Sequence, residues 1–278
     1  MIIMFSLDEN PYGTLFDEDT PYITLEDDYS DSYWDVGFGL QKIDGIEPSD
    51  QLKKLAKQQV NNGISYEEIE KELYQYYSDN EKADISKMEA DFSSLRIAEL
   101  LSSNSFTFSP GTLIGYHKYI FSGIDSFEYP VGEFRKTNIS KKQCVLNGES
   151  VIYSDFRMIK DTINWDFMEE KSKDYSAMNR KDAAHEVMDF ISKIWQIHPF
   201  REGNTRAVST FAIKYFINLG FDVNNTPFKD HAHYFRNALV LANAPKKLGG
   251  TDKYLKMFTE NVMLGGNNEL KIKIKKKQ

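Results

Sequence analysis

Several features that define whole classes of protein are missing from this sequence of 278 residues. It has one cysteine, Cys144, so no intramolecular disulfide can form, which suits a reducing compartment. No apolar run approaches the roughly 20 residues that a membrane-spanning helix needs, and the first residues lack the basic flank of a signal peptide. Neither a Walker-type loop nor a Rossmann glycine pattern occurs. These absences predict a cytoplasmic protein without a membrane partner.

Acidic side chains outnumber basic ones, 42 to 34. The formal net charge of −8 argues against direct nucleic-acid binding, because Lys and Arg side chains hold phosphate backbones. Residues 1–32 carry nine acidic side chains and no basic one, and they show no helical period, so we expect an extended or disordered acidic arm. At the other end, residues 266–278 form a Lys-rich tail that we expect to be solvated.

The rest of the chain has mostly helical periodicity. Three short helical patterns fill residues 33–80, with Ser49 or Asp50 as a cap of the second and Ser65 with Glu68 at capping-box spacing in the third. Further amphipathic patterns recur from residue 84 to about residue 265. The length allows one substantial core with a small appended module. Because the periodicity is mostly helical, we predict an all-α protein.

The most informative stretch is residues 198–206, His-Pro-Phe-Arg-Glu-Gly-Asn-Thr-Arg. An amphipathic run precedes it, and an almost wholly apolar run follows, ending at Gly220. The stretch is therefore predicted to be a loop between two core helices that runs into the start of the second. A Gly-Asn pair at a helix start leaves backbone N–H groups available to an anion. With an imidazole, a carboxylate and two guanidiniums nearby, this loop is suited to handling a phosphate.

Residues 198–206 resemble the signature of the Fic family, which reads His, any, Phe, any, Asp or Glu, Gly, Asn, Gly, Arg, two of any, Arg. The resemblance implies a helical Fic core over residues 84–265. It also implies an adenylyltransferase that moves AMP from ATP onto a Ser, Thr or Tyr hydroxyl of a target protein, with Mg²⁺ as cofactor and release of pyrophosphate. Two positions depart from the pattern: Thr205 stands for the second Gly and Ser209 for the last Arg.

The resemblance also assigns roles to single residues. His198 is the candidate catalytic base, although a His could equally cap the end of the preceding helix. Glu202 is the candidate Mg²⁺ ligand, because hard cations prefer carboxylate and phosphate oxygens. We assign His117 only a structural hydrogen-bonding role. The candidate nucleotide-binding residues are Gly203, Asn204, Thr205 and Arg206 in the loop, and Tyr234 and Asn237 on the helix that borders the adenine in the family.

A β-hairpin is predicted around Asn147-Gly148, between two runs rich in β-branched and apolar residues. In Fic proteins a hairpin at this place, the flap, holds the target segment by strand addition. A plain connector between helices is the alternative. The predicted target-positioning residues are Val145, Leu146, Val151 and Ile152.

Residues 33–80 resemble the small antitoxins that accompany some Fic enzymes, here fused at the N-terminus. In those antitoxins a Glu pairs with the last signature Arg and occupies the space of the γ-phosphate. Asp44 takes that place here, while Leu40 replaces the Ser or Thr of the pattern and Ser209 replaces the Arg. Asp44 is therefore a candidate inhibitory residue, and a simple packing module is the alternative.

The loss of the last Arg leaves the donor open. One charge-assisted contact to a phosphate contributes about 1.5–3 kcal/mol, and a Ser hydroxyl cannot replace it. A different nucleotide or another diphosphate-containing donor is therefore an alternative to ATP, and a catalytically weak Fic protein acting as an interaction module is a third. The partners that we expect are a nucleotide and a target protein, with self-association or auto-modification as further outcomes.

Overall fold

The computed structural model describes residues 29–79 and 83–272, and within these ranges every regular element is helical and none is a strand. The all-α class predicted from the sequence is confirmed. Of the predicted terminal segments, residues 1–28 and 273–278 lie outside the described residues, and the backbone of residues 29–32 already belongs to the first helix. The helices are α1 (Tyr29–Gln41), α2 (Asp50–Asn62), α3 (Tyr66–Asp79), α4 (Met88–Ser102), α5 (Pro110–Phe121), α6 (Ile159–Lys171), α7 (Arg180–Ile197), α8 (Asn204–Asn218), α9 (Thr226–Asp230), α10 (Ala232–Ala242) and α11 (Lys253–Met263).

Helix α8 lies at the centre of the molecule. Each residue from Asn204 to Phe216 is buried, including polar ones, so the helix is surrounded by protein on all sides. A helix buried all round needs an apolar sequence, and the run that follows Arg206 supplies it. Helix α7 packs beside α8 and carries a broad apolar face. The loop 198–203 between them is therefore held by two well-anchored helices.

Helix α1 approaches its neighbours very closely. A Cβ on Gly37 would lie 2.7 Å from the carbonyl oxygen of Ser94 in α4, and a Cβ on Gly39 would lie 2.6 Å from Cα of Lys229 in α9. Only glycine allows such contacts between backbones. Trp34 and Leu40, from the same helix, are buried in the common hydrophobic core. Helix α1 is thus packed into the main body along its length, and it ends in a 3₁₀ turn, residues 42–44.

A buried carboxylate joins α2 and α3 to α4. Asp91 accepts hydrogen bonds from the backbone N–H and the hydroxyl of Ser49, at 2.6 and 2.5 Å, and from the hydroxyl of Tyr77 at 2.7 Å. Burial raises the pKa of Asp91, while these hydrogen bonds work in the opposite direction. Ser49 also caps α2 as predicted, since its hydroxyl accepts from the N–H of Leu52.

The β-hairpin predicted around Asn147-Gly148 is not formed, which is a correction. Both residues adopt the expected left-handed backbone, with φ of 54° and 91°. However, the turn before them is 3₁₀, and the N–H of Gln143 bonded to the carbonyl of Glu149 closes a compact loop instead of a ladder of strands. The reason lies in the side chains. Three of the four predicted flap residues are buried in the core, namely Val145, Leu146 and Val151, whereas Ile152 is 71% exposed.

None of the helices in the described ranges combines the length and the apolar content that a membrane crossing requires.

Candidate active site

His198 occupies the C-terminal cap of α7. Its backbone is left-handed, with φ of 52°, and its N–H donates to the carbonyl of Trp195. The ring nitrogen Nδ1 lies 3.2 Å from the same carbonyl. Because a carbonyl only accepts, Nδ1 must carry the hydrogen, which leaves Nε2 with a free lone pair. The cap role and the base role that the sequence left as alternatives are thus compatible in one residue.

The imidazole of His198 is neutral at physiological pH. Burial, together with the smaller effect of the positive charges of Lys141, Arg135 and Arg236, lowers its pKa to about 3, although the hydrogen bond to the carbonyl of Trp195 acts in the opposite direction. The ring of Tyr153 covers it, with centroids 4.4 Å apart. The side chain is 9% exposed and lines a narrow cavity.

Arg135 anchors the start of the loop. Its backbone N–H donates to the carbonyl of Pro199, and its guanidinium donates to the carbonyls of His198 at 2.8 Å and Ile197 at 3.2 Å. It also donates to the carbonyls of Thr137 and Ser154 on the side of the 143–153 loop. The side chain is buried, and it therefore fixes His198 relative to that loop.

His117 holds the loop in place by a hydrogen bond, in agreement with the structural role that the sequence analysis assigns to it. Its Nδ1 accepts from the N–H of Gly132 at 3.0 Å, so Nε2 carries the hydrogen and donates to the carbonyl of Glu202 at 3.0 Å. Its ring stacks on Phe200, with centroids 3.8 Å apart. Burial lowers the pKa of His117 to about 4, which keeps the ring neutral and this pattern of donors intact.

The loop then enters α8 through Gly203, whose φ is 74°. A Cβ there would lie 2.4 Å from the ring of Phe121, so both the conformation and the space demand glycine. The side chain of Asn204 accepts from the N–H of Phe200 and donates to its carbonyl, which closes the loop. The hydroxyl of Thr205 accepts from the indole of Trp195 at 3.0 Å.

These contacts leave the backbone of the loop facing the cavity. The first N–H groups of a helix have no partner within the helix, and Gly203 offers no side chain to cap them. The start of α8 therefore presents an anion site beside the imidazole of His198.

Glu202 has a carboxylate that makes no hydrogen bond or ion pair with other described residues and faces the same cavity. Within the described ranges, no group of three or more His, Cys, Asp or Glu side chains could hold a metal by itself. Mg²⁺ usually takes one or two carboxylates and completes its shell with water and substrate phosphates. A single free carboxylate beside an anion site, that of Glu202, is compatible with that donor set.

Arg206 is surrounded by other side chains, although its Nε makes no hydrogen bond within the described residues. Its guanidinium donates to Glu89 at 2.7 Å and to the amide oxygen of Gln41 at 3.1 Å, and its Nε lies 3.1 Å from a carboxylate oxygen of Asp44. The same guanidinium lies over the ring of Phe121, 4.6 Å from the centroid. We call this set the Arg206 cage. In the observed conformation the two carboxylates of the cage neutralise the charge of the Arg206 guanidinium.

A cleft of about 430 Å³ opens beside the cage, within the range of about 300–1,000 Å³ usual for ligand sites. Its lining combines apolar side chains with the charges of Glu202, Lys141 and Arg236. A narrow extension of the cleft reaches His198 and the start of α8, and its volume of about 10 Å³ holds about one water molecule. Asp44, from the 3₁₀ turn after α1, lines both parts. The site is therefore closed at the place where a phosphate has to enter.

The other predicted site residues lie outside this cleft. Tyr234 packs on Phe258 in the core and donates its hydroxyl to the carbonyl of Tyr254, and Asn237 does not line the cleft. Ser209 is 0% exposed, and its hydroxyl has no partner within the described part of the chain. Conversely, sequence reasoning did not single out Lys141 and Arg236, which line both parts of the cleft.

The fold and the loop define a helical protein with an anion-binding helix start, a neutral histidine and a free carboxylate in one cleft. Comparison with known families agrees, because residues 107–216 match the model of the Fic/DOC family. This segment, which holds the 198–206 loop, is thus similar to the Fic/DOC family. The match supports a Fic-type transferase activity in general.

Comparison with solved structures supports this fold through one of them, the BepC protein. The BepC protein of Bartonella tribocorum, a VirB-translocated effector solved with bound AMPPNP, is 16% identical at a TM-score of 0.50 over 64% of this chain and 85% of that one. The N-terminal FIC domain of Bep8 from Bartonella sp. 1-1C is 14% identical at a TM-score of 0.49 over 67% and 88% of the two chains. No curated protein matches the chain.

Proposed function

We propose that this protein transfers AMP from ATP to a Ser, Thr or Tyr hydroxyl of a target protein and releases pyrophosphate. The observation that carries the proposal is the shared cavity of His198, Glu202 and the start of α8. A nucleotidyl transfer to an alcohol requires a base beside an anion site, and the proximity of these groups supports that assignment. The AMPPNP bound to BepC supports a nucleotide as the ligand.

In this proposal the target hydroxyl attacks the α-phosphorus and passes its proton to Nε2 of His198, while pyrophosphate leaves. An imidazole with a pKa of about 3 is a weak base. Negative phosphate charge beside the ring favours its protonated form and raises the pKa. Binding of the donor would therefore strengthen the base at the moment when it is needed. Mg²⁺, held by Glu202 and the phosphates, would neutralise charge on the leaving group.

The closed extension of the cleft indicates a regulated site. Asp44 reaches the cleft from the 3₁₀ turn after α1 and pairs with Arg206, and not with the buried Ser209. We propose that Asp44 restrains activity by keeping Arg206 in its cage. The antitoxin-like origin of residues 33–80, and their separation from a Fic domain at 84–265, stay predictions.

Two alternatives keep specific support. Arg206 is engaged and position 209 has no guanidinium, which favours a donor other than ATP or a catalytically weak protein that acts as an interaction module. Both predict a different labelling pattern from that of AMP transfer.

The test is to incubate the full chain with cell lysate and ATP labelled at the α-phosphate or, separately, at the γ-phosphate. AMP transfer gives protein label only from the α-position, and His198→Ala and Glu202→Ala abolish it while Arg201→Ala does not. Label from another α-labelled nucleotide supports the second donor. An absence of protein label with every nucleotide overturns the transferase proposal and leaves the interaction module.

A further inference from the structure

In the observed conformation, neither of the two cations that the signature would supply to a polyphosphate is available. Arg206 is held by Glu89 and Asp44, and Ser209 stands where the second guanidinium would be. A nucleoside triphosphate nevertheless carries several negative charges, and proteins neutralise such charge with Arg and Lys. Other cations of the chain must therefore contact the phosphates if a triphosphate binds.

Lys141 and Arg236 fulfil this requirement by position. Both line the open cleft and its narrow extension, together with Glu202. They come from separate elements, since Lys141 precedes the compact 143–153 loop and Arg236 lies in the middle of α10. Phosphates bound between them would thus be contacted by two parts of the fold at once.

Both cations are also free to bind. Among residues 29–79 and 83–272, neither the ammonium of Lys141 nor the guanidinium of Arg236 makes a hydrogen bond or an ion pair. By contrast, Arg96 is paired with Glu70 and Arg157 with Asp155. A half-buried guanidinium such as that of Arg236 normally has a partner, because removal from water without one is costly.

The charges of Lys141 and Arg236 act on groups next to the proposed reaction site. Both contribute to the lowered pKa of His198, and Arg236 counteracts the raised pKa that burial imposes on Tyr153. The pair therefore lies close to the imidazole, where the phosphates of a donor must lie for transfer to the hydroxyl.

We infer that Lys141 and Arg236 form the polyphosphate-binding pair of this protein and take over the role that Ser209 cannot fill. The planar guanidinium of Arg236 can contact two phosphate oxygens at once, whereas the ammonium of Lys141 acts as a point charge at the mouth of the cleft. This inference rests on the proposed function, because it assigns the donor phosphates to named residues.

The experiment measures the dissociation constants of ATP, adenosine and inorganic triphosphate for the full chain by calorimetry. Arg236→Gln and Lys141→Gln are compared with Arg201→Gln and Lys142→Gln, which remove the same charges from exposed positions outside the cleft. Each cleft variant is expected to raise the dissociation constants of ATP and triphosphate by about 10- to 100-fold, because one charge-assisted contact is lost. Adenosine is expected to bind unchanged, and Arg236→Lys to recover part of the loss. Because Lys141 is exposed, its variant tests the inference even if Arg236→Gln does not fold.

The outcomes separate the two proposals. If wild-type protein binds ATP and the cleft variants bind it as tightly as the controls, the inference is overturned and the proposed function stands. If triphosphate binding depends on the pair but the labelling experiment gives no protein label with any nucleotide, the pair is confirmed and nucleotide transfer is refuted. If wild-type protein binds neither ATP nor triphosphate, both are refuted.

Discussion

Replacing Arg206 with Met would test how much the Arg206 cage stabilises the fold. The substitution keeps an unbranched side chain over the ring of Phe121 but leaves Glu89 and Asp44 without their cation. Removing one partner of a buried ion pair costs about 3–5 kcal/mol, because the other charge stays in a poorly solvated place. The two carboxylates here are 20% and 26% exposed, so water restores part of their solvation.

We therefore expect the lower end of that range, a loss of about 3 kcal/mol in the free energy of unfolding. Urea denaturation followed by circular dichroism measures it, and with a slope of about 3 kcal/mol/M the midpoint falls by roughly 1 M. Arg201→Met, at an exposed position of the same loop, is the control and is expected to change stability by less than about 0.5 kcal/mol.

A second substitution sharpens the test. Glu89→Leu added to Arg206→Met removes one of the stranded charges, so the double variant is expected to recover part of the lost stability. If Arg206→Met loses no more than Arg201→Met, the cage does not stabilise the protein, and the reasoning about Arg206 is wrong.

Three further predictions concern regulation, target binding and pH. Asp44→Asn removes one of the two charges paired with Arg206, and we expect ATP to bind about 10-fold more tightly in calorimetry, equivalent to about 1.4 kcal/mol. Ile152→Asp places a charge on the exposed side chain of the 143–153 loop, and we expect target labelling to fall by about 10-fold while ATP affinity stays the same. Burial lowers the pKa of His117 to about 4 and of His198 to about 3, so the unfolded chain binds more protons below pH 6.5. The free energy of unfolding should therefore fall as the pH drops from about 6.5 toward 4, and His117→Gln, which keeps a donor and an acceptor, should reduce that slope.

Each of these predictions has a matched control. Asp50→Asn removes a carboxylate that is 97% exposed and should leave ATP affinity unchanged; equal effects of both Asn variants refute the role of Asp44. Met158→Asp changes another exposed apolar residue outside the loop, and an equal loss of labelling would exclude a specific role of Ile152. An identical pH slope for His117→Gln and wild-type protein would show that His117 does not contribute to the acid sensitivity.

Local signals predicted the helices and the loop well. Ser49 and the Ser65–Glu68 pair form the expected caps, because capping depends on residues a few positions apart. The loop 198–203, with Gly203 at its end, lies between the amphipathic run and the apolar run, as the change of pattern in the sequence predicts. The Asn147-Gly148 turn was also predicted correctly as a turn, but consecutive burial of Val145 and Leu146 prevents the alternation that a strand needs.

Contacts between distant parts of the chain were not predictable in the same way. Arg206 meets Gln41 and Glu89, more than one hundred residues earlier, and no spacing rule relates such positions. Tyr234 belongs to an apolar helical face and packs with other aromatic rings, which composition cannot distinguish from a nucleotide contact. For Arg236 a weak signal did exist, since no acidic residue stands three or four positions from it on its helix.

The close contacts of Gly37 and Gly39 limit how this protein could be switched on. Helix α1 packs tightly against α4 and α9. Its movement away from them would expose buried apolar surface on both helices to water. Asp44 lies in the short turn that follows, which ends at Gly45 in a left-handed conformation, so under the proposed restraint this turn is the segment that has to move to withdraw Asp44. An activated form is therefore better sought by altering that turn than by deleting the N-terminal helices.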